Sequence, residues 1–181
     1  MLVQADRSAS RGPRHRRSSS WFSFPDPVNE VSARLVAGGV VVLGVLAIAL
    51  NEPWLIAVIA YGFVVRTLAG PKLSPLAQLV TRVITPRLGL APRPVPGPPK
   101  RFAQAIGATF SVLAALLALV LGLDTAAYVL LGLLIVAATL ESVFGYCLGC
   151  KAFAGLMRLG VIPPQICERC RDVAAGLPGA T

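Results

Sequence analysis

The chain has 181 residues, 55% of them hydrophobic and only 14% charged, with a formal net charge of +9. A soluble domain of this length cannot bury so much apolar surface, because surface dominates small globules. The apolar residues also come in blocks, the pattern of a bilayer protein. The basic excess flanks those blocks instead of interleaving with aromatic residues. It therefore reads as a membrane-orientation signal; nucleic acid is excluded as a partner and the lipid bilayer is expected. His15, the one histidine, lies in an Arg/Ser tail, so no histidine-based metal or acid–base site is available in the apolar body.

Residues 1–30 are Ser/Arg-rich, have no apolar periodicity and are expected to form a disordered basic tail. Arg16-Arg17 followed by SSSWF has the flavour of a twin-arginine export signal. The length of the basic region and the further apolar blocks favour an uncleaved first helix instead. The membrane domain is expected over 31–160, with spans at about 35–50, 54–69, 102–123 and 125–144. Asn51-Glu52-Pro53 turns the chain between the first two, and Asp124 separates the last two. Between the hairpins, Leu76, Leu79, Val80, Val83 and Ile84 repeat at helical spacing, which predicts an amphipathic helix over 73–90 in the inner headgroup layer. The proline-rich stretch 91–100 is expected to be a linker, neither helix nor sheet. The fold class is thus all-α membrane protein: four transmembrane helices as two hairpins, plus cytoplasmic amphipathic helices and a Cys-containing cytoplasmic tail over 161–181.

Gly107, Ser111 and Ala115 recur every fourth residue on the third span, a stripe that lets helices approach closely. The halves share a plan of hairpin, glycine break and amphipathic segment, with Phe63, Arg66 and Gly70-Pro71 loosely parallel to Phe144, Cys147 and Cys150-Lys151.

Of the seventeen Lys and Arg residues, six precede or open the first span, seven lie between Arg66 and Arg101, and four follow the last. The two short turns carry only Glu52 and Asp124. All basic residues therefore fall on one side, which predicts a multi-pass plasma-membrane protein with both termini in the cytoplasm. The four cysteines then face a reducing compartment, where permanent disulfides are disfavoured.

Those cysteines form two CxxC pairs, Cys147/Cys150 and Cys167/Cys170, with sixteen residues between them. Three readings are open, the plainest being ordinary small residues at a membrane boundary with no site. Four thiolates at this spacing suit a tetrahedral zinc site. Alternatively, Gly145 ends the fourth span and Cys147 opens a new helix over about 148–159. The helix dipole and Lys151 then favour the Cys147 thiolate as the attacking group, with Cys150 resolving and Cys167-Cys170 relaying electrons. Glu141 is the acidic residue within a span and is expected to pair with Arg66 or Lys151. Zinc is the one cofactor the spacing admits. No phosphate-binding glycine loop, catalytic triad or paired carboxylates are present, and no enzyme class follows.

Two segments, FVVRTLAGPKLSPLAQLVTRVITPRLG (63–89) and PPKRFAQAIGATF…FGYCLGC (98–150), resemble the DUF4395 family of small bacterial membrane proteins. FGYCLGC is the most specific element. The resemblance spans about 31–160 and implies four membrane helices with no established activity. Members are often encoded near thioredoxin-like and sulfurtransferase proteins, which implies thiol or sulfur chemistry and a partner of that kind. Only Cys147 and Cys150 carry over from the family motif.

Overall fold

The computed structural model describes residues 26–89, 91–163 and 166. Helix α1 (Glu30–Ala49) begins where Asn29 Oδ1 accepts the Val31 N–H, with Glu30 in the first turn. That start lies ahead of the expected 35, because the cap residue and not the apolar block sets the helix end. Asn51, at φ 52°, turns the chain into α2 (Trp54–Ala69). A short 3₁₀ turn follows. Then α3 (Pro75–Leu79), a π-helical turn (Val80–Ile84) and α4 (Thr85–Arg87) run on without a break. Pro86 explains the π turn: its ring crowds the carbonyl four residues back, and widening the preceding turn makes room. This amphipathic segment packs Ala77 and Val80 against Val36 of α1.

The proline-rich stretch departs from expectation. Pro94–Val95 forms strand β2, paired antiparallel with β1 (Val28–Asn29), and Gly97 opens α5 (Gly97–Leu119). Pro98 and Pro99 sit in the first helical turn, where a missing N–H costs nothing. Asp26 Oδ1 accepts the Gly97 N–H at 3.1 Å. The third span therefore starts before the expected 102, and Val28 and Asn29 belong to ordered structure and not to a tail. Helix α6 (Asp124–Phe144) matches its expected span, and α7 (Leu148–Arg158) follows. The expected tail regions 1–25 and, apart from 161–163 and 166, 161–181 lie outside the described residues.

Helices α1, α2 with its 3₁₀ turn, α5 and α6 are each long and apolar enough to cross a bilayer. Residues such as Val42, Val58, Val112, Leu116 and Val129 are exposed on their outer faces, as a lipid-facing surface requires. The protein is an all-α, multi-pass membrane protein. In the bundle α2 packs on α5, α1 on α6, and each hairpin's helices on each other. Small residues hold the helices close: Ala47, Ala114, Ser111 and Ala127 are fully buried. At Gly107 a Cβ would stand 2.4 Å from the Phe63 ring, so α2 and α5 approach as they do only because that side chain is absent.

The two halves correspond more closely than the sequence parallel proposed, and in a different register. Gly70 and Gly145, at φ 66° and 68°, both follow the second helix of a hairpin. Arg34 of α1 donates from Nε and Nη2 to the Ser142 and Val143 carbonyls at the end of α6 (3.2 and 2.7 Å). Arg101, at the same position in α5, donates to the Thr67 carbonyl at the end of α2 (3.1 Å). Gly70 therefore matches Gly145, and Arg66 matches Glu141; Cys147 is not the counterpart of Arg66.

Candidate functional site

Helix α6 ends because Gly145 takes the left-handed conformation. The Gly145 N–H then reaches the Glu141 carbonyl (3.1 Å) and the Tyr146 N–H the Leu140 carbonyl (3.0 Å). The chain turns out of the span, and Cys147, in extended conformation, caps α7: its Sγ accepts the Cys150 N–H at 3.3 Å. The predicted helix break is thus present, and Cys147 stands at the positive end of the α7 dipole. Two contacts pin α7 to α5. Phe153 packs edge-on against Phe102 with ring centroids 5.6 Å apart. A Cβ at Gly149 would lie 2.6 Å from Ala103 Cα, so only glycine lets the CxxC turn lie this close to α5.

Cys147 is buried and Cys150 half-buried, and both are free thiols. The Cys150 thiol donates to Cys147 Sγ, and this bond does most to hold the Cys147 thiol below its ordinary range. Burial and the Glu141 carboxylate oppose the shift, while the Lys100 ammonium and the Cys150 backbone N–H reinforce it. Cys150 is pushed up for the complementary reason: its proton is the one shared with Cys147, and burial adds to the effect. Of the two sulfurs, Cys147 is thus the one tilted toward the thiolate and Cys150 the one tilted toward keeping its proton.

The ion pair beside it differs from expectation. Glu141 pairs with Lys100, Nζ to Oε1 at 2.7 Å, and both side chains are largely shielded. Lys151 stands over the Tyr146 ring at 5.6 Å, and Arg66 donates to Gln104 Oε1 (3.1 Å) and Ser74 Oγ (3.4 Å), with Glu141 in electrostatic range. Lys100 went unrecognised because 91–100 read as linker. The signal was Pro98-Pro99, which marks a helix's first turn and places Lys100 one turn inside the bundle, level with the end of α6.

Above the thiols lies a cavity of about 410 Å³ bounded by α1, α2, α5, α6 and α7. Its walls are apolar apart from Arg66, Gln104, Glu141 and Cys147, which gather at its inner end. Cys167 and Cys170 lie outside the described residues, so a four-thiolate arrangement has no geometry here. Among the described residues no group of three or more His, Cys, Asp or Glu side chains is placed to hold a metal.

The comparisons with known proteins agree with the sequence resemblance and add no activity. No curated protein and no solved structure matches the chain. The family model described as domain of unknown function DUF4395 matches residues 28–158, from the first paired strand to the end of α7. The chain is therefore a member of the DUF4395 family.

Proposed function

We propose that the protein is a membrane-embedded thiol–disulfide exchanger whose working pair is Cys147 and Cys150. The observation that supports this reading is the cap of α7. One sulfur of the CxxC replaces the usual oxygen at a helix N-terminus, accepts the other cysteine's N–H and thiol, and has Lys100 as a nearby cation. Each of these stabilises a thiolate, the form that attacks or leaves in disulfide exchange. The asymmetry of Lys and Arg supports a cytoplasmic position for this end of the bundle, and the plasma membrane is the membrane proposed.

The burial of Cys147 reverses the roles expected from the sequence: in the oxidised protein, a partner thiolate attacks the half-exposed Cys150 sulfur, the S–S bond breaks, and Cys147 leaves as the thiolate. The partner's second thiolate then attacks the mixed disulfide and frees Cys150. One disulfide is formed in the partner for each one broken here. A soluble dithiol protein of thioredoxin-like or sulfurtransferase type has the chemistry for this role, and Cys167-Cys170 is placed in sequence to act as a relay.

The second reading is a structural zinc site using Cys147, Cys150, Cys167 and Cys170, favoured by the spacing of the two pairs. Zinc content and free-thiol titre of anaerobically purified protein, before and after mild oxidation, separate the two. Thiols that cycle reversibly without bound zinc support exchange. About one zinc per chain, with thiols protected until chelation, overturns it in favour of the metal site.

A further inference from the structure

The cavity opens sideways. Its inner wall is formed by buried Leu134, Ala138 and Gly107, but its rim carries Ile106, Leu133 and Val136, which are exposed on the outer faces of α5 and α6. These rim residues lie well inside the two spans, at the depth of acyl chains and not of headgroups. A ligand entering between α5 and α6 therefore arrives from the bilayer interior and must be lipid-soluble. The volume falls in the roughly 300–1,000 Å³ range of small-molecule sites, enough for a substituted ring whose tail stays in the lipid.

The inner end is not what an acyl chain needs. The Arg66 side chain is 4% exposed and fixed by Gln104, Ser74 and the face of the Phe63 ring. Its Nη2 has no hydrogen-bond partner among the described residues. No buried side-chain nitrogen or oxygen among them is unpartnered, so that end of the guanidinium meets open space. A cation at the bottom of an apolar cavity selects a ligand that accepts hydrogen bonds and gains negative charge. The thiols add the chemistry. Cys147 lines the cavity and Cys150 does not, so the pair presents one sulfur to the membrane side and the half-buried one to the other.

Resting on the thiol-exchange reading, we infer that the cavity binds a membrane quinone and that Cys147 passes it the electrons taken from the soluble partner. The balance closes. The Cys147 and Cys150 sulfurs become one S–S bond. Their two electrons convert the two quinone carbonyls to hydroxyls. The two protons come from the two thiols, solvent replacing any that a sulfur has lost. Arg66 positions a carbonyl oxygen and stabilises the charge that builds on it. The protein then draws electrons from cytoplasmic thiols into the membrane pool.

The test uses the full chain in nanodiscs, without oxygen, pre-reduced, with a decyl-tailed benzoquinone substituted at every ring position so that simple thiol addition is blocked. Hydroquinone absorbance and loss of free thiols are followed in the unaltered protein, Ala137→Trp at the cavity rim, and Arg66→Gln. Oxidation by a small water-soluble disulfide is measured in parallel. Stoichiometric hydroquinone, slowed roughly tenfold or more in both variants while soluble-disulfide oxidation persists, supports the inference. Should Ala137→Trp not insert, Ala137→Phe repeats the test with a smaller intrusion. Cycling with the soluble disulfide but no hydroquinone, or hydroquinone formation indifferent to both variants, overturns the quinone site and leaves thiol exchange standing. Failure to cycle with either oxidant overturns both.

Discussion

Helices α3 and α7 leave the bundle in the same way. Each follows a glycine of positive φ, lies against the first helix of its own hairpin, and begins at a residue whose side chain accepts the N–H three positions on. In the first half that residue is Ser74, fully buried, whose Oγ accepts from the Ala77 N–H and from Arg66. In the second half it is Cys147, whose Sγ accepts from the Cys150 N–H. One architecture thus carries a structural cap on one side and a thiol pair on the other. The cavity follows the same asymmetry, since it is floored by α7 and not by α3. The thiol pair stands at a position whose first duty is to satisfy the exposed N–H groups of a helix.

Cys147→Ser makes the second cap chemically like the first and gives the largest effect. Disulfide exchange and reversible oxidation should fall to background, while thermal stability in detergent changes by no more than about 1 kcal/mol, because serine caps well. Exchange preserved in that variant removes Cys147 from the chemistry.

Lys100→Met comes next, since it strips the second half of its ion pair and leaves Glu141 shielded without its hydrogen-bonded cation. A loss of about 3–5 kcal/mol is expected, largely recovered when Glu141→Leu is added. The same variant carries a pH signature, read by alkylation rate in a Cys167→Ser/Cys170→Ser background. Lys100 favours the Cys147 thiolate, so its removal moves the reactivity midpoint up. Glu141→Gln removes an opposing charge and moves it down. Midpoints that ignore both changes break the link between ion pair and thiol.

Gly149→Ala should cost about 1–3 kcal/mol by forcing α7 away from Ala103. Gly155→Ala on the same helix meets nothing within 4 Å and should stabilise by up to about 1 kcal/mol. Melting curves of the two variants compare contact with propensity. The smallest effect concerns the paired arginines: Arg34→Gln loses two carbonyl contacts and Arg101→Gln one, so about 1–2 and about 0.5–1 kcal/mol are expected. Equal losses would show that the extra bond at Arg34 adds nothing.

Much of this comparison was legible in the sequence where the signal is local. The apolar blocks gave the spans, Gly145 gave the break, and the CxxC after it gave the thiols at a helix start. The readings that failed were of two kinds. Helix starts at Glu30 and Gly97 were missed because capping by Asn29 and pairing of Val28 with Val95 act outside the apolar blocks. The partner of Glu141 was missed because Lys100 approaches from the facing helix of the hairpin, far away in the chain. Of the two expected partners, Lys151 turns to Tyr146, and Arg66 bonds to Gln104 and Ser74.

By itself the sequence determined that this chain lives in a bilayer, because no other medium takes up so much contiguous apolar surface. It also determined which end of the bundle is basic, since charge cannot be left at depth. The rest was decided by the tertiary structure, because it depends on side chains brought together from different helices. The packing of α7 on α5 sets Lys100 and Glu141 near Cys147, and the closure of the bundle turns Arg66 and Gln104 inward. The cavity beside that cluster reaches Ile106, Leu133 and Val136, which are exposed on the outer faces of α5 and α6. Residues far apart in the chain share no pattern that periodicity or composition can register. Their chemistry exists only once the helices have packed.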